Sequence, residues 1–484
     1  MKVLVIGNDG ATHAVAWKLS QSPAVRDLYS APGNYGTNLV GANLDLPVSA
    51  PEELAAWAKE QQIDLTVVTS STALAYGVVD AFRELDLRIV GPSRAAARLG
   101  TSRIWAREFL ARHYVPAVPA IVCTEIGEAA SYVRGLPPEA FPLLLTTETS
   151  HDRPSTAHAA PVLALDAETA LATVQRVLAP DRHGTVPQIV IETYADDFSL
   201  SLLAITDGVT TLPFGAAHCY RRAFDADQGP LVAGMGAYSP VPSIDDEQIE
   251  RGMDRIIRPI LAGLAAEGLG YRGILSVEVA LGSSGMQVRD IHTTFGDLEA
   301  QVLLPRFEDD LYIALDAAFD AALGELRPFR WSQNVTCGMV LASEGYPGEF
   351  ETGYGVLGAG DIPSGTQVFH LNTRNPYRRS AAAGVSPKLE RASRGAIGRG
   401  FSSWFMPSRG RSRKVDAQAS QASGDPYSQI ITAGGPVLMV VGSGRTLAEA
   451  RTAAYRGLEP IAFTGCWARQ DIGVLDQGVP EART

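Results

Sequence analysis

Residues 271–301 read YRGILSVEVALGSSGMQVRDIHTTFGDLEAQ, and their pattern decides the fold. From Ile274 to Leu281 the run is largely apolar with β-branched residues, Gly282-Ser283-Ser284-Gly285 supplies a turn, and Met286 to Ile291 makes a second strand. Two such strands about a short turn form a β-hairpin. Asp290 and His292 follow two residues apart. Residues i and i+2 of a strand face the same way, so a carboxylate and an imidazole project together. Two readings are open: a pair that holds a divalent cation, or an exposed acid beside a satisfied histidine.

Working outward, 484 residues with 46% hydrophobic content can bury several cores. That length suggests about two to four domains. The 53 acidic and 41 basic residues leave a net charge of -12, which favours solubility and argues against a surface that coats nucleic acid. Cys123, Cys219, Cys337 and Cys466 are far apart without C-x-x-C spacing, so neither a zinc site nor a disulfide framework is expected. Met1-Lys2 leads directly into Val3 to Gly7 without a leader pattern, and no apolar run is long enough for a transmembrane segment. A cytoplasmic protein is expected.

The chain opens with the apolar strand Val3 to Ile6, the loop Gly7-Asn8-Asp9-Gly10 and a helical pattern through Ala14, Trp17 and Leu19. Such a loop can hold an anion on free backbone N–H groups, or simply connect strand to helix. Strands at 45–48, 64–69 and 88–90 alternate with helices at 52–61 and 75–85, which implies a parallel sheet. The first domain is placed at 1–101. A helix over 102–114 carries Arg103 and Arg107, and strands follow at 116–122 and at 188–192, the latter ending in Glu192. A helix through Leu311, Leu315 and Phe319 closes the second domain, 102–330. Strands at 335–343, 367–371 and 436–442 and a helix at 446–458 build the third, 331–484. The expected class is α/β: a Rossmann-like N-terminal domain, a central domain and a small α+β C-terminal domain.

From Thr373 to Lys414 there are eleven Lys or Arg residues against one acid, Glu390, followed by a Ser/Gln/Ala run. This composition buries too little apolar surface to order itself, so a flexible basic insertion over 373–428 is expected. Trp404-Phe405-Met406 within it could dock on a protein partner, and the basic run 373–414 suits an acidic surface; a passive solvated loop is the equal alternative.

The quoted stretch resembles the metal-binding end of the ATP-grasp ligases, and within them phosphoribosylamine-glycine ligase. That family carries E-F-N-x-R-F-G-D-P-E-x-Q where this chain has Asp290-Ile291-His292-Thr293-Thr294-Phe295-Gly296-Asp297-Leu298-Glu299-Ala300-Gln301. The family's two metal ligands fall on Asp290 and His292 and its Arg on Thr294. Its P-G-N-x-G loop is intact as Pro32-Gly33-Asn34-Tyr35-Gly36, while its opening G-x-G-G-R-E-H-A becomes Gly7 to Ala14, keeping Gly10 and His13 but losing Arg and Glu. The closing G-M-G-A-Y-S-P is identical at Gly234 to Pro240, preceded by Asp227, Gly229 and Pro230 of D-x-G-P. The family's active-site Asp-His falls on Cys219-Tyr220, followed by Arg221-Arg222. Its strand Lys falls on Thr146, and its Gly-rich loop on a stretch containing His151 and Arg153.

The resemblance implies an ATP-grasp central domain, ATP with Mg2+ or Mn2+, small-molecule substrates, and ligation of glycine to 5-phosphoribosylamine in purine synthesis. It places nucleotide at Arg103 and Glu192, catalysis at Arg221 and Arg222, and metal at Asp290 and His292. Substrate falls at Gly10, His13, Gly33, Asn34, Asp227, Gly229 and Pro230. Losing the strand Lys, the Gly-rich loop and an Arg removes charge that phosphoryl transfer uses. A binding or regulatory paralogue without the reaction, or a ligase with other substrates, is the alternative.

Overall fold

The computed structural model describes residues 1–148, 161–178, 187–194, 198–282, 285–375 and 430–474. His151, Arg153 and nearly all of the basic insertion, with its Trp404-Phe405-Met406, lie outside the described residues.

The apolar run Val3 to Ile6 becomes the strand Lys2–Gly7, its four apolar side chains fully buried. It is central in a parallel sheet of order Ala42–Asn43, Asp27–Pro32, Lys2–Gly7, Leu65–Val68, Ile89–Val90. A strand covered on both faces is continuously apolar, and each buried Val or Leu contributes about 1.5–3 kcal/mol. The strand expected at 45–48 does not form. The backbone pairing runs out at Leu44, whose N–H donates to Ser30 O, and Pro47 has no N–H to extend it. Its place is taken by Ala42–Asn43 beside Asp27–Pro32.

Two further sheets follow. A four-stranded one has the order Ala120–Cys123, Gln188–Thr193, Leu143–Glu148, Val162–Ala164. The larger, of eight strands among the described residues, runs Gly285–His292, Gly273–Gly282, Phe198–Thr206, Thr211–Phe224, Gln228–Ser239, Val335–Ala342, Pro436–Gly444, Thr366–His370. The hairpin read from the sequence is its first edge, with Glu278 opposite Asp290 and Ser276 opposite His292. The register shifts between these pairs and Val279 opposite Val288, which leaves Arg289 as the extra residue of a β-bulge. The sheet also continues past residue 330, because Ala237 pairs with Gly338 and Val340 with Met439. One hydrophobic core contains Val3, Ala14, Leu298, Phe369 and Met439, so all three segments of the chain share it.

Candidate active site

The strand Gln188–Thr193 delivers Glu192, 1% exposed, to the helix Arg103–Arg112. Arg103 Nε donates to Glu192 Oε2 at 2.8 Å, and Arg107 binds Glu192 Oε1. Ser102 caps this helix by accepting the Trp105 N–H, and Glu148, at the end of its strand, accepts the Ile104 N–H at 3.1 Å. The carboxylate is thus placed where the helix dipole favours negative charge. The bulge supplies the other acceptors: Arg289 O takes N–H groups from Arg103 and Arg107 at 3.1 and 2.7 Å, and Val288 O one from Arg107 at 3.1 Å. Arg103 Nη1 reaches Asp290 Oδ1 at 3.1 Å, so all three nitrogens of this guanidinium are engaged within the protein.

Across the sheet, Arg221 lies between two carboxylates. Its Nη2 is 3.0 Å from Glu299 Oε1, and its Nε is 3.2 Å from Glu278 Oε2, a charge contact without hydrogen-bond alignment. Ser201 Oγ also donates to Glu299 Oε1 at 2.8 Å, while Glu299 Oε2 is buried without a partner. Burial alone would raise Asp290, but the charges of Arg103 and His292 outweigh it and hold its carboxyl down at about 2. At Glu299, too, burial acts upward and is outweighed, here by Arg221 and His292. Thr146, on the strand Leu143–Glu148, keeps a buried hydroxyl without a partner among the described residues. Arg222 and Arg289 both lie over the Tyr194 ring, at 5.5 and 4.8 Å, and Arg222 Nη1 donates to Gly229 O at 2.9 Å.

The remaining candidates are knitted into the fold itself. At the opening helix Gly10–Leu19, Asp9 Oδ1 accepts the Thr12 N–H at 2.8 Å and Asp297 Oδ1 the Ala11 N–H at 2.7 Å. Two of the amides that could meet an anion therefore already hold the protein's own carboxylates. A Cβ on Gly10 would lie 2.3 Å from Gln301 Nε2, which is how closely this helix meets Asp297–Leu303. His13 is buried, and its Nδ1 accepts the His370 N–H at 3.0 Å. Asn34 Nδ2 donates to His370 O at 2.7 Å and Asp9 O at 3.0 Å, and Gly33, at φ +68, closes the turn before it. Asp227 pairs with buried Arg469 at 2.9 Å, beside Gly229 and exposed Pro230.

Sequence reasoning paired Asp290 with His292 but missed Glu278, Arg107 and Glu148. Glu278 carried a signal: a lone carboxylate in an otherwise apolar, buried run must find a cation. Arg107 and Glu148 carried none, since their partners are set by tertiary packing.

A Rossmann-like domain, followed by a small four-stranded sheet and a large eight-stranded one that Arg103 joins through Glu192 and Asp290, defines an ATP-grasp protein. The family models agree: "Phosphoribosylglycinamide synthetase" N domain over 1–100, ATP-grasp (A) domain over 101–300 and C domain over 408–475. The chain is 34% identical over 478 residues to a phosphoribosylamine–glycine ligase of Escherichia coli (strain K12), covering 98% of both chains. It is 32% identical over 474 residues to that of Halalkalibacterium halodurans, covering 98% of this chain and 96% of the relative. Accordingly, the chain belongs to the phosphoribosylamine–glycine ligase family. In fold it is similar to the crystal structure of that ligase from Thermotoga maritima, at TM-score 0.71 and 21% identity over 97% of this chain and all of the other. It is also similar in fold to the biotin carboxylase domain of Hydrogenobacter thermophilus 2-oxoglutarate carboxylase in complex with MgADP, at TM-score 0.61 and 13% identity over 96% and 91% of the two chains. Among the described residues no helix is long and apolar enough to cross a membrane.

The family implies magnesium, a hard ion that takes octahedral oxygen ligands and usually keeps several waters. Among the described residues no three His, Cys, Asp or Glu side chains converge on one point. Asp290, Glu278 and Glu299 each face a guanidinium instead. Such an ion is commonly held by one or two carboxylates together with substrate phosphates, and Asp290, whose side chain is 42% exposed, would offer it an oxygen.

Proposed function

We propose that this chain is an ATP-dependent carbon–nitrogen ligase that joins the carboxylate of glycine to the amine of 5-phosphoribosylamine, with release of ADP and phosphate. The observation that carries the reading is the correspondence along 98% of the chain to relatives named for that ligation. In this reading Arg103 and Glu192 form the nucleotide end of the cleft, and Arg221 and Arg222 supply positive charge to the phosphoryl group in transfer. Substrate lies along Gly10, His13, Gly33 and Asn34 on one side and Asp227, Gly229 and Pro230 on the other. Electrostatic positioning provides most of the catalysis, as phosphoryl transfer requires little covalent chemistry from the protein. ADP release measured with ATP, glycine and freshly formed 5-phosphoribosylamine tests it: release must depend on both substrates, and its absence at high protein concentration sinks the reading.

A second reading, a family member that binds nucleotide without turnover, is favoured by Thr146, a neutral side chain where the family motif has its strand Lys. Nucleotide binding in calorimetry without ADP release would select it.

A further inference from the structure

The hairpin formed by Thr211–Phe224 and Gln228–Ser239 carries Arg222 on its first strand, yet its own ladder does not fix where that residue stands. Pairing is regular from His218 opposite Tyr238 to Tyr220 opposite Gly236, but Arg222 then faces Leu231 and Phe224 faces Gln228, so the register shifts twice before the turn. An interrupted ladder specifies geometry weakly. In the turn, Ala226 and Asp227 have φ of 54 and 51, left-handed values that a residue with a Cβ adopts only at a cost. The groups that hold this tip come from the C-terminal segment. Arg469, 1% exposed and 242 positions from Asp227, donates through Nη1 to Arg222 O at 2.8 Å and Asp227 Oδ1 at 2.9 Å. Its Nε and Nη2 donate to the two oxygens of Asp471, at 2.8 and 2.6 Å. Asp471 Oδ2 also accepts the Ala226 N–H at 2.8 Å, and Asp225 Oδ1 accepts the Gln470 N–H at 2.7 Å. The segment is itself seated on the helix Leu447–Leu458, where Arg451 donates to Gln470 O at 2.8 Å and Ile472 O at 3.0 Å, and Tyr455 Oη to Arg469 O at 3.0 Å. Arg222 is thereby held at both ends, its main-chain oxygen by Arg469 and its Nη1 by Gly229 O.

We propose that Arg469 is a positioning residue: it holds the left-handed turn at Ala226 and Asp227 together with the backbone of Arg222, and through them sets where the Arg222 guanidinium stands. The effect on turnover rests on the ligase reading above, in which Arg222 supplies charge to the phosphoryl group. The hold on the turn stands on the hydrogen bonds alone. An arginine buried for stability only would lower the melting temperature when changed and leave turnover by the folded molecules as it was.

The test compares the full-length wild type with Arg469→Lys and Arg469→Met in two measurements. Lys keeps a buried charge for Asp471 but brings one nitrogen where Arg469 uses three, so both variants are expected to free the turn. In hydrogen–deuterium exchange, amides within 222–231 are expected to exchange about tenfold faster than in the wild type, and those of the strand Gly273–Gly282 to stay within about threefold. In ADP release with ATP, glycine and 5-phosphoribosylamine, kcat of Arg469→Lys is expected to fall about tenfold with KM for ATP within about threefold, as displacing a charge used in transfer does. Adding Ala226→Gly, which takes the left-handed angle without its cost, is expected to raise that kcat again by about threefold. Exchange at 222–231 that stays at the wild-type rate, or that rises no more than in Gly273–Gly282, overturns the proposal. So does a kcat equal to that of the wild type, or a lowered one that Ala226→Gly leaves unmoved. If Arg469→Met does not fold, Arg469→Lys decides alone. No ADP release by the wild type overturns the ligase reading and the effect on turnover with it, while exchange still decides whether Arg469 holds the turn.

Discussion

Arg103 and Glu192, 89 residues apart in the chain, meet with Nε 2.8 Å from Oε2, and the same carboxylate also receives Arg107. One buried acid thereby ties the helix Arg103–Arg112 to the strand Gln188–Thr193 of the small sheet. Removing its charge leaves Arg107 without its carboxylate partner and Arg103 with Asp290 alone. Glu192→Gln is expected to lower stability by about 3–5 kcal/mol, the usual effect of halving a buried ion pair. Urea denaturation measures it, and a loss below ~1 kcal/mol would show the pair to be screened by water.

His13 provides a pH test. Its imidazole, buried against Phe369, has its titration lowered from 6.5 to about 3 by desolvation. An unfolded chain takes up a proton there near pH 6.5 and the folded one does not. The stability it contributes is therefore present above 6.5 and is lost as pH falls toward 3, by ~2 kcal/mol at pH 5. His370, lowered by burial and by His13, acts in the same direction. His13→Gln, which retains an acceptor for the His370 N–H, should show a smaller drop in urea midpoint between pH 7 and pH 5 than the wild type. An equal drop would assign the pH dependence elsewhere.

Asp297 works with the opposite sign. Burial and the nearby Asp9 push its carboxyl up to about 8. The folded protein holds a proton that an unfolded chain releases near 3.8, so this stability is full below 3.8 and lost as pH rises through 8. Asp297→Asn keeps an oxygen for the Ala11 N–H and removes the repulsion with Asp9. It is expected to melt higher than the wild type at pH 8.5 and to lose that advantage by pH 4.

Gly10 carries no special backbone angle, yet a methyl group there would fall 2.3 Å from Gln301 Nε2 and 2.7 Å from Asp297 Oδ1. Gln301 is fully buried and donates to Asp297 O at 2.8 Å, so it cannot simply swing aside. Gly10→Ala is expected to destabilise by about 1–3 kcal/mol through overpacking. A thermal melt within one degree of the wild type would contradict this.

What could be read from the sequence follows how local the cause is. The hairpin at 273–292 was legible because strand alternation and a Gly-Ser turn are neighbours in sequence, and the opening strand because four apolar residues precede a glycine loop. The strand Asp27–Pro32 was not, since DLYSAP mixes polar residues and a proline into a strand buried by its parallel neighbours. Asp290 and His292 were legible as a pair facing one way. That Asp290 would meet Arg103 was not, because the two are 187 positions apart and tertiary packing decides it. Gly10, His13 and Asn34 resembled a ligand loop, but the strand Thr366–His370 that fastens it lies more than 300 residues away.

The large sheet passes without a seam from Gln228–Ser239 to Val335–Ala342. The last third of the chain is therefore not a detachable module. A gene ending near residue 330 would strip the backbone partner from Tyr238 and Ala237 and leave a bare hydrogen-bonding edge, the kind of template on which chains stack into aggregates. Truncation, unlike point substitution, should abolish soluble protein altogether.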